Sequence, residues 1–113
     1  MATVVLTTEE ITRAGIDATD TAMDAADTYK VNNDGRTYLH FKKSGAGACT
    51  VTITTPGTVD GQAIADRTVN VPATTGDVRT GPFPRDVYND GSGQLTFAVS
   101  EATGLTCAVL RLP

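Results

Sequence analysis

A chain of 113 residues with 40% hydrophobic residues, no Trp and only three Phe and three Tyr is long enough for one hydrophobic core and too short for two. Its formal net charge is −4, with seven acids (Glu9, Glu10, Asp17, Asp20, Asp24, Asp27 and Asp34) against Arg13 and Lys30 in the stretch 9–34. Lys42 and Lys43 make no basic stripe, so neither a nucleic-acid backbone nor an anionic membrane is expected as a partner.

The N-terminal Met-Ala-Thr-Val-Val-Leu has no basic region and meets acids at Glu9, so no signal peptide is expected and the chain is expected to be soluble and made in the cytoplasm. No apolar run approaches the length of a membrane span. Residues 1–27 are rich in Thr, Ala and Asp and contain no aromatic residue; they are expected to form an arm ahead of a body at 28–113. Thr7-Thr8-Glu9-Glu10-Ile11 has the form of a helix start, and Asp17, Asp20, Asp24 and Asp27 recur at three and four. Thr and Asp are mediocre helix formers and Gly15 interrupts the run, so the arm is expected to be partly extended or weakly helical.

Strand signals begin after residue 28. In Thr37–Lys43, Leu39 and Phe41 point one way and Tyr38, His40 and Lys42 the other. In Ala48–Thr55, Cys49, Val51 and Ile53 share a face opposite Thr50, Thr52 and Thr54. A further strand is expected at Thr68–Val71. Gly-Pro-Phe-Pro at 81–84 lacks two backbone donors and is expected as an edge or crossing loop, fixing Phe83 as an apolar plug under its own rim or in a neighbouring subunit. Leu95, Phe97 and Val99 then alternate with Thr96, Ala98 and Ser100, and a last strand follows from Leu105 to Leu112, apolar on both faces. With Arg111 in solvent, Cys107 and Val109 are expected to meet another surface while Ala108, Leu110 and Leu112 meet the core. The stretches Asn32-Asn33-Asp34-Gly35, Ser44-Gly45-Ala46-Gly47, Asp60-Gly61, Asp90-Gly91-Ser92-Gly93 and Ala102-Thr103-Gly104 supply turns at sandwich spacing. The predicted fold is all-β, an antiparallel β-sandwich of jelly-roll or immunoglobulin-like type with an N-terminal arm.

Catalysis needs a nucleophile with a base, a metal shell or a cofactor loop. His40 is the one His and is expected as a surface residue; Ser44, Ser92 and Ser100 stand in no nucleophile elbow. The Gly-rich turns lack a following Lys-Ser or Lys-Thr, and the Asp spacing of the arm is not that of a calcium loop. The turns Asn32–Gly35 and Asn89–Gly91 resemble oxygen-rich metal loops, but turn formation explains both. No enzyme activity, cofactor or metal is expected. Cys49 and Cys107 are expected as buried thiols rather than a bridge. The candidate partner contacts are Val4, Val5, Leu6, Ile11, Phe83, Cys107 and Val109.

From Tyr29 to Leu112 the order NNDGRTYLHFKK, TVTITTPGTVDGQAIADRTVNVP, GPFPRDVYNDGSGQLTFAVS and AVLRL resembles small β-sandwich structural proteins of tailed bacteriophages, most of all head decoration proteins. The resemblance implies a virion component on the capsid surface that binds the major capsid protein or other virion subunits, often as a trimer, and reinforces the lattice. A tail-tube, head-completion or adaptor protein is the near alternative, and a carbohydrate or surface-binding module the more distant one. On this basis the arm is expected to carry capsid binding, and its removal to leave a folded body.

Overall fold

Strands form where the sequence alternates. The computed structural model describes residues 3–112. In chain order its elements are β1 (Thr3–Leu6), β2 (Glu9–Glu10), β3 (Thr21–Ala22), β4 (Thr28–Asn32), β5 (Thr37–Lys43), β6 (Cys49–Ile53), β7 (Thr58–Val59), β8 (Gln62–Ala63), β9 (Arg67–Val71), β10 (Gly76–Thr80), the short helix α1 (Arg85–Tyr88), β11 (Gln94–Val99) and β12 (Leu105–Arg111). One sheet runs β1-β4-β11-β6-β9 and the other β10-β5-β12-β2, with β3 also on β12. The two sheets pack face to face. β7 and β8 form a separate hairpin around Asp60 and Gly61, both at positive φ, as the Asp-Gly turn predicts.

The core lies between the sheets and follows the period-2 pattern. Cys49, Val51 and Ile53 from β6 and Leu95, Phe97 and Val99 from β11 are buried, facing Leu39 and Phe41 from β5. Phe41 meets Phe97 edge-on across the sandwich with centroids 5.7 Å apart, and Phe97 stacks on its cross-strand partner Tyr29 at 5.5 Å. Burying one such ring contributes about 1.5–3 kcal/mol. Phe83 packs under the rim of its own sandwich, edge-on to Tyr88 at 5.2 Å, in the loop that crosses from β10 to β11.

Several expectations need correction. The sheets are mixed rather than antiparallel, because β1 runs parallel to β4 and β2 parallel to β12. Of the two forms expected for residues 1–27, the described part takes the extended one and forms no helix. That segment crosses from one sheet to the other and stays extended: Gly15 sits at φ +88° in a turn, and Ile11 and Met23 donate backbone bonds to Arg111 and Leu105 at 2.9 and 3.0 Å. Leu6 and Met23 lie in the core, so the segment is built into the sandwich.

The last strand is turned the other way from the expectation. Cys107 and Val109 pair with Phe41 and Leu39 and so face the core. Ala108 and Leu110 share the outer face with His40 and Tyr38, and Leu112 is exposed. Arg111 does share the side of Cys107 and Val109, but at the strand end its long side chain leaves the core at the rim. Lys43 lies inward at the opposite rim with its side chain fully buried, its Nζ 2.8 Å from Glu101 and 2.5 Å from the Thr103 carbonyl. His40 is buried, not a surface residue; its Nε2 lies 2.5 Å from Asp77 Oδ1 on β10, which holds the Asp77 carboxyl below its ordinary range.

Two measurements follow from this packing. Leu6→Ala and Met23→Ala should each lower stability to urea by about 2–4 kcal/mol, whereas side chains of a detached arm would change it by a few tenths. Hydrogen bonds from Lys43 and then Thr103 hold the Glu101 carboxyl at about 2 against an ordinary 4.5. A depressed carboxylate stabilises fully above its unfolded value and loses that contribution as pH falls toward 2. Glu101→Gln should therefore flatten the acid limb of the stability curve between 4.5 and about 2 while changing little of its shape above.

Candidate functional site

β1 is the end strand of its sheet, and β4 is its one neighbour among the described residues. Its outer row of backbone N–H and C=O groups is available to a further strand. Val5 on this strand is 58% exposed, the most exposed of the large hydrophobic residues described. β1 forms because Val4, Val5 and Leu6 are β-formers laid beside Tyr29, Lys30 and Val31. Thr7 and Thr8 then carry the chain to the other sheet.

Where the chain crosses, the two sheets stand apart at this edge and leave a cleft of about 490 Å³. Val4, Val5, Leu6, Cys107 and Val109 line it, with Thr7, Glu9, Thr19 and Thr21 also on its walls. Five of the seven candidate partner residues thus converge on one feature. Cys107 and Val109 form its deep part, 1% and 3% exposed, and Leu6 is nearly as buried. Ile11, half-buried, and Phe83, in the core, do not line it. The Cys107 and Val109 faces are thus reached through the gap between the sheets and not across the outer surface of β12.

Arg111 clips the crossing segment to the body. Its guanidinium meets Glu10 at 2.6 Å and Asp34 at 2.9 Å, tying β2 to the turn between β4 and β5. The Arg36 backbone N–H, and then the nearby Arg111, hold the Asp34 carboxyl below its ordinary range. Behind the clip, Asn33 Nδ2 donates to Asn89 Oδ1 at 2.7 Å and to the Phe83 carbonyl at 3.0 Å, and Asn89 Nδ2 donates back to the Asn33 carbonyl at 2.8 Å. The two turns with the look of metal loops therefore lock to each other. Their carboxylates are engaged as turn acceptors: Asp34 takes the Arg36 N–H, and Asp90 takes those of Ser92 and Gln94. Among the described residues no group of three or more His, Cys, Asp or Glu is arranged to hold a metal ion.

The residues that sequence reasoning missed here are Thr7, Glu9, Thr19 and Thr21. Thr7 and Glu9 lie on the crossing into β2, and Thr19 and Thr21 reach the cleft because the loop after β2 doubles back along β12, with Glu9 Oε1 accepting the Thr19 N–H at 2.8 Å; no local pattern encodes that return. The cleft presents methyl groups, hydroxyls, one thiol and, on its wall, the Glu9 carboxylate. Burial, and then the negative charge of Asp20, push the Cys107 thiol up to about 12, so it stays protonated and is a poor nucleophile at neutral pH. Cys49 lies on the other sheet, and both cysteines are free. The arrangement suits an inserted apolar side chain or an added strand.

No family model, curated protein or solved structure matches this chain.

A thiol reagent should label neither cysteine of the native protein and both after denaturation in guanidinium. Rapid native labelling at Cys107 would show that the floor of the cleft is open to solvent.

Proposed function

We propose that this chain is a non-enzymatic virion structural protein, a capsid decoration protein that binds the head lattice through the β1 edge and the cleft beside it. The observation that carries this proposal is the convergence of Val4, Val5, Leu6, Cys107 and Val109 on one open edge. The sequence resemblance from Tyr29 to Leu112 supplies the virion context. A strand or apolar side chain of the major capsid protein supplies what the edge lacks: backbone partners for β1 and a cover for Val5. Repetition over a lattice turns a modest contact per copy into stable occupancy. Self-association, with a trimer favoured, and synthesis in the host cytoplasm belong to the same proposal. A tail-tube, head-completion or adaptor role would use the same edge on a different virion surface.

The strand order supports a jelly-roll lineage within the sandwich class. Counting eight strands as β3, β4, β5, β6, β9, β10, β11 and β12, the first, eighth, third and sixth lie side by side, and so do the second, seventh, fourth and fifth. This order agrees with the winding of a jelly roll, and the pairs within it are antiparallel. β1 and β2 are additions to it. Jelly rolls serve as viral capsid domains and also as lectins, so the lineage fits the virion role without selecting it.

The test is co-sedimentation with undecorated capsids. The parent chain should bind in fixed stoichiometry, and Val5→Asp, a change at an exposed position, should weaken binding about tenfold, or ~1.4 kcal/mol per site, with an unchanged circular dichroism spectrum. Equal binding by Val5→Asp would remove the β1 edge from the contact. A parent chain that ignores capsids but binds glycans saturably would replace the virion role with that of a surface-binding module.

A further inference from the structure

The loop joining β2 to β3, residues 12–20, is exposed throughout, yet it is anchored at both ends. Gly15 N–H donates to the Thr12 carbonyl at 3.0 Å, and Thr19 N–H to Glu9 at 2.8 Å. Between these anchors stand Ile16, 38% exposed, and Asp17, also exposed. Asp20 closes the loop with a long contact to Lys42 at 3.5 Å; Arg13, inside the turn at 12–15, is its one cation.

Beside the outer end of β12 lies a groove of about 360 Å³, walled by Tyr38, Gly81, Pro82 and Leu112 and flanked by Arg36 and Arg79. Leu112 is 53% exposed. Gly81 packs directly against Tyr38 in the groove wall, where a Cβ at Gly81 would sit 2.7 Å from the Tyr38 Cβ. Arg36 and Arg79, with side chains 58% and 60% exposed, reach carboxylates of their own chain only at 3.7 and 3.6 Å. Their charges are therefore little committed.

We infer that the Ile16–Asp17 loop of one copy docks in the Arg36–Arg79 groove of a second copy. The knob is apolar beside an acid, and the groove is apolar between two cations. Copies of a chain with net charge −4 repel in most orientations, and this pairing is one that reverses the sign locally. Burying Ile16 against Tyr38, Pro82 and Leu112 removes two exposed hydrophobic residues from water in one contact. Loop and groove are different patches, so a reciprocal two-fold pair or a closed ring both satisfy every copy. This interface is independent of what the β1 cleft binds.

Sedimentation equilibrium of the full chain alone, without capsids, tests it. The parent should form a defined oligomer at micromolar concentration, and Ile16→Asp, Asp17→Arg and the double variant Arg36→Glu with Arg79→Glu should each weaken association by about tenfold or more. Mixing Asp17→Arg with the Arg36→Glu, Arg79→Glu chain should restore association as mixed pairs, since a loop of either variant then faces a groove of opposite sign on the other; restoration also shows that both variants are folded. A parent that stays monomeric, variants that associate like the parent, or a mixture without recovery would each overturn the inference. Loss of capsid binding by Val5→Asp with self-association intact would keep the two sites distinct.

Discussion

The edge-on contact of Phe41 with Phe97 is the constraint on which the sandwich depends. With no Trp and three Phe in the chain, few side chains are large enough to span the gap between sheets, and this pair does so from the middle strands of each. Valine and leucine, with Ile53 and the two cysteines, fill most of the rest, and the β-branched ones among them pack flat pleated surfaces well. The pair also fixes register. Cys107 stands opposite Phe41 and Val109 opposite Leu39, so once Phe41 faces inward the whole of β12 is assigned, and a one-residue slip would bring Ala108 and Leu110 inside in their place.

That assignment leaves two cations on the inward side, Lys43 and Arg111, at the two ends of the paired strands. Each is tolerable because it sits at a rim and meets an acid from another part of the chain, Glu101 for Lys43 and both Glu10 and Asp34 for Arg111. A charge taken from water without such a partner costs several kcal/mol. The rims are therefore where separate segments are joined: Lys43 secures the turn between β11 and β12, and Arg111 secures the N-terminal crossing. The cleft beside β1 inherits its shape from the second of these joints.

Much of the body was legible in the sequence, because strict alternation survives wherever one face is buried and the other wet. β5 spans its predicted residues, and β6, β9, β11 and β12 lie within two residues of theirs. β12 misled for a definite reason: it is covered on both faces, so its pattern does not declare an inside, and the one charged residue that breaks the symmetry points inward and escapes at the end. His40 misled in the same way, since the outer face of β5 is itself buried at that point beside Ala108. β1, β2 and β3 are too short to show a period. Their pairing depends on partners far along the chain, and a segment rich in Thr and Asp gives no local sign of it. The cleft could be approached only through its apolar residues, never as a shape.

An exposed edge strand with an outward valine is a hazard for a protein that works alone, because it templates pairing with any other free edge. Proteins commonly guard such edges with Lys, Pro or a bulge on the strand itself, and β1, Thr-Val-Val-Leu, carries none of them. The opposite edge of the same sheet, β9, holds Arg67 and Asn70 and Pro72 follows it directly, so the chain does employ such residues at its other end. This asymmetry between the two edges, with the cleft behind β1, is what supports the proposed docking at this side of the sandwich.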